Sequence, residues 1–330
     1  DGQLLDQTGI SFRLYRGTPD QMPDPLIEAV EGNSDERRPG GAPAYRDTAY
    51  VVFEDMPLDR FGNRVPQLSF EVFHRPPGQG LEEQLEGICL IPGAGEFVLA
   101  DETVLRREGL SRTRPENVHN GQGQVDLEVS LSQLQQSLPN LKRVSLVVGW
   151  FGTDLRAGHC EVRPGVERRD KVTEPQSWSV AGLDRSQAHL ISAVEGRPAY
   201  GGTPSDESVR QAIQALKSRG WAVTVYPFVF MDIAPGNGLS DPYGADEQAA
   251  YPWRGRVRAD DPVTANPDIA HLFGTAEGWG LRRLALHYAA LAAECGASGL
   301  LIGSEMRGLT WSRDETGQHP AVAQYRTLAA

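Results

Sequence analysis

The chain has 330 residues, of which 39% are hydrophobic and 23% charged, and a formal net charge of −12. That is globular composition, and the length suggests two domains. The acidic surplus, with no stripe or tail of Lys and Arg, argues against a surface that neutralises phosphates, so neither nucleic acid nor an anionic membrane is an expected partner. No apolar run approaches the ~20 residues of a bilayer span, and residues 1–25 lack the basic start and apolar stretch of a signal peptide, so no membrane span or secretory address is expected.

Cys89, Cys160 and Cys295 are odd in number and far apart, without the paired spacing of a zinc site, and read as free thiols in packing. The chain starts at Asp1, and Tyr325 to Ala330 reads as the middle of a helix, so a piece of a longer polypeptide is expected.

From Ile10 to Tyr15 and from Leu68 to Val72, apolar and polar residues alternate with the period of two that marks half-buried strands. Ala49 to Phe53 is a short apolar run bounded by charge, which fits a strand covered on both faces. Gly, Pro and Asp clusters at Asn33–Pro43 and Asp59–Pro66 predict loops between them. The Pro and Gly density of HRPPGQG, His74 to Gly80, predicts a connector, followed by a short acidic helix from Leu81 to Cys89. A Gly-rich turn, a short strand and a helix at Ser130–Leu138 come next.

Beyond Leu138 the rhythm changes to strand-length apolar runs alternating with helical segments, the βαβ signature of a parallel sheet. The runs are Val144–Trp150, Ala222–Phe230 and Gly299–Gly303. Before the second, Thr203 stands as N-cap, with Pro204 and Asp206 in the first turn, Val209, Ile213 and Leu216 on one face, and Gly220 as the stop. Before the third, Leu281, Leu284, Tyr288 and Leu291 fall one turn apart and Gly296 ends the helix.

In an α/β barrel, chemistry sits at the C-terminal ends of the strands. Trp150 with Asp154, then Asp232, then Glu305 occupy those positions. Glu305, two residues beyond a strand, is placed to act as a general acid beside a second carboxylate, or to pair with Arg307 or another arginine. Asp232 is either a rim carboxylate or a turn former. Trp150, Trp253 and Trp311 are candidate platforms for sugar faces, or core. Arg254, in PWRGR, binds a hydroxyl or carboxylate, or makes a loop salt bridge. His287 reads as a satisfied boundary residue. No P-loop, dinucleotide glycine fingerprint, HExxH or GxSxG motif is present, so no cofactor or metal is expected.

Residues 42–73, APAYRDTAYVVFEDMPLDRFGNRVPQLSFEVF, resemble the hub segment of long-tailed phage tip proteins. GICLIPGAGEF, YGGTPSD, AYPWRGR and LIGSEMRGLT resemble the large baseplate "megatron" protein of gene transfer agents, and the likeness extends over essentially the whole chain. GWAVTVYP, WRG, HYAALAAECGA and LIGSEM also match the pattern of mannanase-like barrels.

The resemblance implies a multidomain fold: a β-rich tail hub segment over 1–77, a mixed α/β connector over 78–138, and over 139–330 the first part of a glycoside-hydrolase-like (β/α)8 TIM barrel that continues beyond the chain. It places Glu305 on the acid/base position and Trp253 and Arg254 on the WRG motif, with Ser304 where many related hydrolases carry Asn and the nucleophile on a later strand. The implied protein is a virion baseplate or tail-tip component, assembled in the bacterial cytoplasm and acting at the host surface. Its expected partners are other tail proteins, further copies in a ring around the tail axis, and host cell-surface carbohydrate that it binds, with cleavage left open. The rival expectation is an active retaining glycosidase acting on a polysaccharide.

Overall fold

The computed structural model describes residues 5, 8–32, 42–72, 80–92, 95–109 and 111–330. The chain divides into two compact units, Asp1–Val72 and Phe73–Ala330.

In the first unit, β1 (Ser11–Tyr15) pairs antiparallel with β2 (Tyr50–Glu54), setting Phe12 opposite Phe53 and Leu14 opposite Val51. Between them lies α1 (Pro25–Gly32). Asp24 organises the unit: its side chain is fully buried, it accepts from Arg13 at 2.7 Å and from the Tyr15 hydroxyl at 2.6 Å, and it caps α1 at the Leu26 amide. The Arg13 guanidinium holds its carboxyl well below the usual range. Gly17 has φ +76°, and a Cβ there would lie 2.6 Å from the Thr48 nitrogen, so only glycine fits.

The expected strand at Leu68–Val72 does not form. Leu68, Phe70 and Val72 are 41%, 58% and 74% exposed, because a period-two pattern becomes a strand only where an edge is available to pair. Of the expected loop at Asn33–Pro43, residues 33–41 lie outside the described residues, as does the connector at His74–Gly80 except for Gly80.

The second unit is built on four parallel strands: β3 (Gly87–Leu90), β4 (Arg143–Gly152), β5 (Ala222–Met231) and β6 (Gly299–Leu300). They lie side by side in chain order, β3 pairing β4, β4 pairing β5 and β5 pairing β6. This sequential order is that of a sheet winding in one direction, as in a barrel; a doubly wound sheet reverses. β3 corrects the sequence reading, because the helix expected over Leu81–Cys89 stops at Gln84. Cys89 therefore sits in a strand, and residues from the expected connector supply the first strand of the arc.

Along β4, Val144, Leu146, Val148 and Trp150 point to the helix layer, where they are at most 1% exposed. Along β5, Val223, Val225, Val229 and Met231 point the same way and are at most 6% exposed, while Tyr226, Phe228 and Phe230 alternate onto the inner face. The helices α2 (Asp126–Ser137), α3 (Asp206–Ser218), α4 (Ala265–Phe273) and α5 (Leu281–Glu294) supply the covering layer. α2 begins four residues before the expected Ser130. In α3 the buried face is Val209, Ala212, Ile213 and Leu216, with Gly220 at φ +80° ending the helix.

The N-cap of α3 is Ser205, whose hydroxyl accepts from the Ser208 amide at 3.1 Å. Thr203, the expected cap, instead donates to the Gly149 carbonyl at 2.8 Å and accepts from the Gly165 amide at 3.0 Å, tying β4 to the segment that follows it. That segment and the one after β3 are locked by buried charge: Lys171 lies 3.1, 2.7 and 2.8 Å from Glu96, Glu116 and Glu167, and Arg185 lies 2.7 Å from Glu96.

Candidate functional site

The site begins with a proline in a central strand. In the β5–β6 ladder, Val223 and Val225 turn their carbonyls toward β6, accepting from Ser298 and Leu301. Backbone groups alternate sides along a strand, so the next residue to face β6 is Pro227, which has no N–H to give. The ladder ends there, and β6 is two residues long where the sequence predicts five. Residues 302–305 peel away from the sheet, and Glu305 adopts φ +57°. A non-glycine residue in that region carries strain of about 1–2 kcal/mol, the kind that gathers at functional sites.

Facing Glu305 is the turn Arg254–Arg256 of the WRG motif. The Trp253 indole nitrogen donates to Glu305 Oε2 at 2.8 Å, and Arg254 Nη2 lies 3.0 Å from the same oxygen. Arg254 also donates from Nε to the Ser304 carbonyl at 3.2 Å, and its guanidinium lies 3.9 Å from the centre of the Phe228 ring.

Each letter of the motif has a reason. Tryptophan supplies a donor on a flat ring, and arginine reaches carboxylate and backbone together. Glycine leaves room, because a Cβ on Gly255 would meet the indole of Trp253 at 2.4 Å. Arg254 is buried, Glu305 is half-exposed and Trp253 is 47% exposed. Among the described residues Glu305 Oε1 has no hydrogen-bond partner. A cavity of about 460 Å³ opens here, lined by Ser304, Glu305, Arg307, Thr310 and Tyr325.

The other candidates fall elsewhere. Trp150 is fully buried against Trp279 and Tyr288, so it is core and presents no face to a ligand. His287, 2.8 Å from Asp206, is a partnered residue at the same boundary. Asp154 is buried and bonded to Arg156 and Gln248. The arginine beside Glu305 is Arg254, while Arg307 stacks on Trp311 at 3.8 Å.

Asp232 does end β5 at the rim, yet both its oxygens are taken. His189 Nε2 lies 2.7 Å away, and Ser192 gives its amide at 3.0 Å and its hydroxyl at 2.6 Å. Burial pushes the Asp232 carboxyl up, and the His189 and Ser192 hydrogen bonds outweigh that, leaving it below its ordinary value.

The sequence reading missed the aromatic track between these points. Phe228 lies 6.0 Å from Phe230, Phe230 lies 5.7 Å from Tyr200, and Tyr200 lies 5.6 Å from Tyr251. The alternation in AVTVYPFVF carries the signal for the first two, whereas nothing local announces Tyr200, Tyr251 or His189.

Chemically, the arrangement offers a carboxylate oxygen to a hydroxyl, an indole to an apolar ring face, and a buried cation to fix both. Asp154 and Asp232, the acids at the ends of β4 and β5, both already accept hydrogen bonds from neighbouring side chains. Among the described residues no group of three or more His, Cys, Asp or Glu could hold a metal, and no helix is long and apolar enough to cross a membrane.

Residues 279–330 match the family model described as the GTA TIM-barrel-like domain, a stretch that includes α5, β6 and Glu305 and leaves Trp253 and Arg254 outside. No curated protein matches the chain. Among solved structures, the chain is similar to one described as a complex structure of GH113 beta-1,4-mannanase, over 61% of this chain at 15% identity and a TM-score of 0.32. The chain spans 44% of that structure's length. The family match and the sequential parallel strands agree that residues 279–330 form part of a TIM-barrel-like domain.

Proposed function

We propose that the second unit is a glycan-binding, glycoside-hydrolase-like barrel segment of a tail-tip or baseplate protein from a phage or gene transfer agent, with Trp253, Arg254 and Glu305 contacting the sugar. The observation that carries the reading is the convergence of an exposed indole and a buried guanidinium on one oxygen of the half-exposed Glu305 carboxylate, in the loop after β6. The family match over 279–330 supports the gene-transfer-agent relationship. In this reading residues 42–73 serve the hub, copies form a ring around the tail axis with other tail proteins, and the barrel meets host surface carbohydrate when the particle attaches.

The test is adsorption of the purified chain to peptidoglycan and to capsular polysaccharide. Trp253→Ala is expected to weaken it by ~1–3 kcal/mol, the loss of one aromatic contact. Equal adsorption of wild type and variant, or none to either polymer, rejects the reading. Retaining hydrolysis is the second reading, favoured by the unpartnered Oε1 of Glu305. It requires release of reducing ends that Glu305→Gln lowers by several orders of magnitude.

A further inference from the structure

A second pocket lies across a short helix from Glu305. In α6 (Arg307–Trp311), Arg307 lines the Glu305 cavity while Trp311 lines another of about 360 Å³. Its walls include Tyr243, Arg258, Asp261 and Arg313, drawn from the loops after β5 and β6, which places it on the barrel rim.

The charges in its walls do not cancel. Arg254 and Arg256, next along the chain, pair with Glu305 and Asp241. Arg258 and Arg313 form no ion pair among the described residues. Asp261 is the pocket's one acidic wall residue, and its carboxylate is engaged by the Thr264 amide at 2.9 Å. Arg307, 3.8 Å from the Trp311 ring, adds a third cation at the edge. Two aromatic rings complete the cavity: Tyr243 carries the guanidiniums of Arg256 and Arg258 at 4.7 and 5.4 Å, and Trp311 is 63% exposed.

This is an unusual investment for a chain of net charge −12. Charged groups beyond a Debye length of about 8 Å are screened at physiological salt, so a local pair of guanidiniums can attract an anion that the whole chain does not favour. Guanidinium forks fit carboxylates in two-point contact, and aromatic faces fit the C–H faces of sugars.

We infer that this pocket binds a carboxylate-bearing sugar, its acid group held by Arg258 and Arg313 and its ring against Trp311. The inference rests on the glycan-binding reading for its context and names the class of glycan: one carrying uronate-type residues. The Glu305 cavity lies across α6 from this pocket.

The test is calorimetric titration of the chain with trigalacturonate and with its neutral methyl ester, at about 50 and 500 mM NaCl. The acid trimer is expected to bind at least tenfold tighter than the ester, and more weakly at high salt. Arg258→Ala and Arg313→Glu are each expected to weaken it at least tenfold. Arg313 is exposed, so that variant reads the pocket without risk to folding.

Equal affinity for acid and ester, wild-type affinity in Arg313→Glu, or no heat from the acid trimer overturns the inference. Trp253→Ala on a neutral glycan and Arg313→Glu on the acid trimer report on the two sites separately. Failure of one reading is therefore distinguishable from failure of the other.

Discussion

Lys171→Met tests whether buried charge holds the rim segments in place. The Lys171 side chain is fully buried, as is that of Glu96, while Glu116 and Glu167 are 10% and 22% exposed. Methionine preserves much of the stem and removes the ammonium, leaving three carboxylates facing one another with Arg185 as the cation nearest Glu96. Breaking a buried pair in this way costs about 3–5 kcal/mol, a large part of a typical stability of ~5–15 kcal/mol. With a slope of about 3 kcal/mol per molar urea, the unfolding midpoint falls by about 1–1.7 M at neutral pH.

The pH dependence follows from Glu96. Burial raises its pKa, but Arg185 and Lys171 outweigh burial, so the folded value is below the unfolded one. Such a group stabilises above its unfolded pKa of about 4.3, and that contribution is lost as pH falls through the folded value. The gap between wild type and Lys171→Met should therefore narrow below about pH 4. For Lys171, burial lowers the pKa and the surrounding Glu96 and Glu167 raise it further than burial lowers it, so its contribution holds below its unfolded value and fades as pH rises through the folded one. A midpoint shift under about 0.3 M, or a gap that does not change with pH, would refute the argument.

Three further outcomes are expected. Trp150→Ala should lower stability by about 3–5 kcal/mol in urea unfolding, since a fully buried indole leaves a cavity that its neighbours cannot close; a loss under about 1 kcal/mol would return Trp150 to the candidate surface. Gly255→Ala should displace the Trp253 indole, since the new Cβ would lie 2.4 Å from it, and should weaken glycan adsorption much as Trp253→Ala does; wild-type adsorption would show that the stacking is dispensable. Asp232→Asn should destabilise by about 1–3 kcal/mol, because an amide cannot accept from His189 and Ser192 at both ends, and an unchanged midpoint would show that the Asp232 cluster holds nothing.

The sequence carried the sheet wherever an apolar run was long. Val144–Trp150 and Ala222–Phe230 are strands because β-branched and aromatic residues fill both faces, and the α3 and α5 stripes mark what covers them. β3 escaped because GICL is four residues long and follows an acidic turn of helix, so only its pairing with β4 makes it a strand. Thr203 and Ser205 both suit an N-cap, and the choice between them was made by the Gly149 carbonyl, which lies 54 residues away in the chain. The site was legible to the same degree: WRG and Glu305 stood out, yet their meeting depends on where Pro227 stops the β5–β6 ladder. Trp150 illustrates the converse, since its strand-end position is shared by core and ligand platforms and only burial tells them apart.

The shared oxygen at the centre of the WRG site makes two side chains into one latch. The Trp253 ring packs so close to Gly255 that a Cβ there would lie 2.4 Å from it, and its indole nitrogen is spent on Glu305. A ligand that slides under or lifts the indole therefore also releases one of the two donors on the carboxylate, leaving Arg254 to steer it alone. Occupancy of the aromatic platform and the aim of the acid cannot vary independently. The emission of Trp253, taken as the difference between wild type and Trp253→Phe, would register the orientation of Glu305.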